Sequence, residues 1–175
     1  MKKWLLLLMG CAVLIFIFSI VAFDSIGEKL TKDCDKGDAE ACFYLAYAYA
    51  TGKNEEIMQD DEKAVELWTK SCDLGYPSAC NNLGVSYYKG LGVEQDYKKA
   101  FEFYAKACSL EHSGACYNLG VLYDKGQGVK KDDKKALEIY TKACNLENSK
   151  ACNSLGNLYY DGRWKRCKTR LWQSY

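Results

Sequence analysis

Histidine is all but missing from this chain: His112 is the single one among 175 residues. A structural zinc centre takes four thiolate or imidazole ligands, with its cysteines in close C-x2-4-C spacing, and a catalytic metal is usually built on several imidazoles. Ten cysteines are present, but those that recur in pairs have seven residues between them, so neither a metal site nor a cofactor is expected. Basic excess is missing from the body as well. Residues 24–162 carry 17 Lys/Arg against all 23 Asp/Glu, and an acidic body argues against nucleic acid as a partner. Charge is absent altogether from Trp4 to Phe23, a run of twenty residues behind Lys2 and Lys3. That length crosses a bilayer as a helix and exceeds a typical signal-peptide core, so residues 1–23 read as a signal peptide or a membrane anchor. The leading lysines keep the N-terminus inside, so everything after residue 24 is expected to be exported: periplasmic, secreted, or anchored at the inner membrane and facing the periplasm. The membrane is touched only through this segment. Leu8-Met9-Gly10-Cys11 resembles a lipoprotein processing box, yet the apolar run continues past Cys11, which is read as an unpaired apolar cysteine.

What the chain does contain is periodic. Cysteine pairs recur as Cys34/Cys42, Cys72/Cys80, Cys108/Cys116 and Cys144/Cys152, starting 38, 36 and 36 residues apart. A period of that length marks stacked two-helix units. Alanine precedes each second cysteine, and leucine, a small residue and tyrosine follow at helical spacing: Leu45-Ala46 and Tyr49, Leu83-Gly84 and Tyr87, Leu119-Gly120 and Tyr123, Leu155-Gly156 and Tyr159. Then come turns at Gly90-Leu91-Gly92-Val93 and Gly126-Gln127-Gly128-Val129, followed by apolar runs from Asp96 to Cys108 and from Asp133 to Cys144. The unit is helix A, glycine turn, helix B, and a short loop into the next helix A. Ser25 to Cys34 reads as a lone B helix that opens the array. The small residues Ala46, Gly84, Gly120 and Gly156, and the aromatics Trp68, Tyr104 and Tyr140, fall on packing registers. The first unit is two residues longer between Gly52 and Ala64 and lacks the second glycine, so its turn is expected to be the loosest.

Regularly spaced cysteines in this number point to an oxidising compartment. On the chain-entropy model each clip closes a loop of about nine residues and contributes roughly 2.5 kcal/mol. The pattern fails after Gly162, where Trp164 replaces the expected glycine. Residues 163–175, with Arg163, Lys165, Arg166, Lys168 and Arg170, read either as a truncated last repeat or as a basic amphipathic cap, and Cys167 is left unpaired.

Over residues 25–162 the chain resembles Sel1-like repeat proteins of the Helicobacter cysteine-rich family, through the Ala-Cys, Leu-Gly, Tyr, Gly-x-Gly-Val and Lys-Ala elements quoted above. The resemblance implies an all-α fold, an α/α superhelical solenoid of tetratricopeptide-related repeats. It also implies one disulfide per repeat, Cys34–Cys42, Cys72–Cys80, Cys108–Cys116 and Cys144–Cys152, each joining a B helix to the following A helix. It further implies weak β-lactamase or penicillin-binding activity. A serine β-lactamase needs Ser-x-x-Lys, Ser-Asp-Asn and Lys-Thr-Gly elements. Only Ser86-Tyr87-Tyr88-Lys89 matches, and Ser86 shares a packing register with Leu122 and Leu158, so no catalytic constellation is identified.

Binding is the reading the residues favour. Stacked A helices commonly line a concave groove in which an extended ligand lies. Just before the repeated leucine stand Tyr44, Asn82, Asn118 and Ser154, and one position earlier Phe43, Asn81, Tyr117 and Asn153. Asparagine both donates and accepts, which suits a peptide backbone. The expected partner is a peptide, a protein or a peptidoglycan fragment. The alternatives are a hydrolase acting on β-lactams, as the resemblance implies, and a truncated, non-functional copy.

Overall fold

The computed structural model describes residues 26–53 and 57–160. Within them the chain forms eight helices: α1 (Ile26–Asp35), α2 (Ala39–Thr51), α3 (Asp61–Asp73), α4 (Pro77–Lys89), α5 (Tyr97–Ser109), α6 (Ser113–Lys125), α7 (Asp133–Asn145) and α8 (Ser149–Tyr160). The even-numbered helices are A helices and the odd-numbered ones B helices, with α1 the unpaired B helix at the start. No described helix is long and apolar enough to cross a membrane. The apolar run with Cys11, the tail with Cys167, and residues 54–56 of the first turn lie outside the described residues.

Local chemistry fixes both ends of each helix. The A helices α2, α4 and α6 stop at Gly52, Gly90 and Gly126, all left-handed. The B helices α3, α5 and α7 start behind Asp60, Asp96 and Asp132, whose carboxylates accept the N–H groups that the first turn leaves over. Helix α7 starts at Asp133, as expected, and the residue before it closes its first turn. Asp132 is the cap, accepting from the N–H groups of Lys134 and Lys135 at 3.0 Å each, and Asp133 is already helical.

Among the described residues, substantial helix contacts run only between chain neighbours, the signature of a solenoid. Each B helix passes into the next A helix through a turn with the same bond, from Asp38 to Asp33, Tyr76 to Ser71, His112 to Ala107 and Asn148 to Ala143. The four disulfides bridge these turns, with Cα atoms 4.6, 4.7, 4.6 and 4.8 Å apart, and so tie α1 to α2, α3 to α4, α5 to α6 and α7 to α8. Alanine stands beside the disulfide where nothing larger fits. Ala79, Ala115 and Ala151, like Ala64, Ala100 and Ala136 on the B helices, have no exposed surface.

The glycine registers are packing devices. A Cβ at Gly84 would come within 2.5 Å of the Tyr104 ring, and one at Gly120 within 2.6 Å of the Tyr140 ring. Gly156, in the final helix, meets nothing comparable among the described residues. The second glycine of each turn has a different task. Gly92 and Gly128 are left-handed, and a Cβ there would run into the backbone carbonyls of Asp61 and Tyr97. Each seats its turn on the start of the preceding unit's B helix.

Candidate functional site

The asparagine register becomes a connected network on neighbouring A helices. Asn118 Nδ2 on α6 donates to Asn81 Oδ1 on α4 at 3.1 Å, and Asn81 Nδ2 donates weakly to Asn82 Oδ1 at 3.4 Å. All three are half-buried. Because each amide passes its oxygen to the neighbour's N–H, the series presents N–H groups at the Asn82 end and a carbonyl oxygen at the Asn118 end. The remaining register members stand apart. Tyr44 is exposed beside Phe43, ring centroids 5.4 Å apart. Ser154 is half-buried and Asn153 exposed on α8, neither joined to the amide series among the described residues.

Aromatic rings stand at other positions of the same registers. Phe43 packs on Tyr76 with centroids 4.9 Å apart, and Tyr117 packs on Tyr140 at 5.8 Å. Burial first, and then the nearby Glu40 and Tyr44, hold the Tyr76 phenol above its ordinary pKa. Burial does the same, more strongly, to Tyr104. Both stay neutral hydroxyls at physiological pH.

Asn82 also lines a pocket of about 170 Å³, together with Tyr47 and Ala50 from α2, Asp61 and Trp68 from α3, Val85 and Ser86 from α4, and Leu91 from the following turn. Sequence reasoning missed this pocket. The signal was present, since Ser86 is much smaller than Leu122 and Leu158 at the same repeat position. Read one register at a time, it showed only a packing position. Ser86 is 2% exposed, whereas Lys89 is exposed, so the two ends of Ser86-Tyr87-Tyr88-Lys89 face different surroundings.

The model of the Sel1 repeat matches residues 39–76, 77–112, 113–148 and 149–166. Three of these spans each hold one A helix and the B helix after it. Among solved structures, a protective antigen of uropathogenic Escherichia coli with an SLR fold is 32% identical with a TM-score of 0.74, over 78% of this chain and 29% of its own. This chain therefore spans under a third of that antigen. A Sel1 repeat protein from Oxalobacter formigenes is 35% identical with a TM-score of 0.68, over 74% of this chain and 96% of its own. Helicobacter pylori cysteine rich protein B is 29% identical with a TM-score of 0.59, over 77% of this chain and all of its own. Among curated proteins nothing matches. On four matched repeats and a stack of helix pairs clipped at every joint, this chain belongs to the Sel1 repeat family.

Proposed function

We propose that this protein is an exported binding scaffold that holds an extended peptide, a segment of a partner protein or a peptidoglycan fragment along the face of its A helices. The observation that carries the reading is the amide series Asn82, Asn81, Asn118, which spans two repeats and ends in donors on one side and an acceptor on the other. A backbone lying across it would find both hydrogen-bonding complements. Export is supported by the four disulfides, which persist in oxidising compartments. Residues 1–23 then serve as leader or anchor, 25–162 as the scaffold, and 163–175 as a tail that departs from the repeat.

The test is saturable binding by the oxidised full chain, followed by NMR against a panel of short peptides and muropeptides. Asn118→Ala is expected to weaken binding about tenfold, the worth of one well-made amide hydrogen bond pair. Equal affinity for the variant and the parent would remove the amide series from the site. The same preparation is assayed for turnover of a chromogenic β-lactam, before and after reduction. Turnover that follows the oxidised form would replace the binding-only reading with a hydrolase.

A further inference from the structure

The joint between the second and third units shows what is missing at the joint before it. There, Tyr88 lies against Tyr97 with ring centroids 5.2 Å apart and donates its hydroxyl hydrogen to Gln127 Oε1 at 3.1 Å. The residues at the same repeat positions one unit earlier are Ala50, Asp61 and Leu91, and all three line the pocket of about 170 Å³. Ser86 in that pocket stands where the next unit has Leu122, which has no exposed surface. An aromatic ring supplied from within at one joint is thus absent at the other, and its place is open between Tyr47, Trp68, Asn82 and Val85.

We propose that this opening is a specificity pocket that receives one aromatic side chain, of phenylalanine size, from a peptide with a basic residue beside that ring. The inference rests on the peptide-binding reading above and names the feature that selects the peptide. Its size fits, since an apolar cavity of about 150 Å³ accepts a benzene ring. Its walls fit, because Trp68 and Tyr47 offer aromatic surface to an incoming ring. Its position fits as well: Asn82 belongs both to the pocket wall and to the donor end of the amide series, so a backbone held by the amides brings a side chain to the opening. Charge selects the flanking residue. Asp61 is a half-buried carboxylate at the pocket, and the body carries 17 Lys/Arg against 23 Asp/Glu, so a cation next to the ring is attracted. Trp68 is 8% exposed, and among the described residues its indole Nε1 has no hydrogen-bond partner, so the backbone carbonyls of an incoming peptide could serve as acceptors beside the ring.

The experiment titrates the oxidised full chain with acetyl-Gly-Lys-Phe-Lys-Gly-amide and with the same peptide carrying alanine in place of phenylalanine. The phenylalanine peptide is expected to bind roughly ten- to a hundredfold more tightly, the worth of burying one ring. Ala50→Tyr, which restores the internal ring, is expected to abolish that preference and leave the alanine peptide unaffected, whereas Asn118→Ala weakens both peptides alike. Ser86→Leu fills the same space from α4 and repeats the test should Ala50→Tyr not fold. Equal affinity of the two peptides for the parent chain would overturn the pocket and leave the amide series standing. A preference that survives both filling variants would also overturn it. Absence of binding by either peptide would remove the pocket and the peptide-binding reading together.

Discussion

The first and second joints of this solenoid share a framework and differ in what fills it. Both carry a disulfide, Cys72–Cys80 or Cys108–Cys116, an aspartate-capped B helix at Asp60 or Asp96, and a left-handed glycine, Gly92 or Gly128, seated on the preceding B helix. The second joint is closed by Tyr88, Tyr97, Leu122 and Gln127, while the first holds Ala50, Asp61, Ser86 and Leu91 and stays open. Cysteine, alanine, glycine and aspartate therefore build the stack, and four other positions decide whether a joint is solid or hollow.

That equivalence of framework can be broken at the clips. Replacing both cysteines of either joint by alanine is expected to cost about 2.5 kcal/mol, and the two losses should agree, because the loops are equally long. Urea unfolding of the two double variants checks this, and a difference well beyond 1 kcal/mol would show that the joints are not equivalent.

The contrast in filling is sharpened by exchanging the residues that create it. Leu122→Ser copies the first joint into the second and is expected to cost about 3 kcal/mol through cavity formation and a buried hydroxyl. Ser86→Leu enters a joint that already has space, so its effect should lie between neutral and about 1 kcal/mol of stabilisation. Thermal melts that showed equal losses for both would mean that the first joint is not hollow.

A smaller difference lies in the turns. Gly75 is left-handed at the first joint, and Glu111 takes the same conformation at the second, with φ of 89° and 62°. Glu111→Gly should relieve about 1 kcal/mol of backbone strain, and Gly75→Ala should cost a similar amount despite the open space around it. Denaturant midpoints with unchanged slopes would report both.

The smallest effect depends on pH. His112 caps α6 at the second joint, its Nδ1 accepting the Ala115 N–H at 3.0 Å. Tyr76, its counterpart at the first, makes no side-chain cap bond. Burial holds the His112 pKa below its ordinary value, although its own backbone hydrogen bond opposes this. The neutral imidazole is thus favoured in the folded chain. Its stabilising contribution is complete above the unfolded pKa of about 6.5 and is lost as pH falls through the lowered folded value. Hydrogen-exchange protection at Ala115 should decline over that range while protection at Ala79 does not. A parallel decline at both would locate the titration elsewhere.

Some of the site was legible in the sequence and some was not. Asn81, Asn82 and Asn118 could be picked out because they recur beside the repeated leucine, but their pairing could not be. Register alone aligns Asn82 with Asn118 at 36 residues, yet the bond forms between Asn81 and Asn118, 37 apart. The Tyr88–Gln127 bond likewise spans 39 residues. Stacked helices are rotated and shifted against one another, so residues that meet across a joint are not those that align in the repeat.

The sequence by itself determined the period, the helix pairs and the recurrence of the cysteines, since each depends on residues close together along the chain: apolar residues at helical spacing, a glycine at a left-handed turn, two thiols eight positions apart. Tertiary structure decided which amides join across repeats and that Ala50, Asp61, Ser86 and Leu91 surround one pocket. Those residues come from three helices and a turn, and only the rotation between stacked units brings them together.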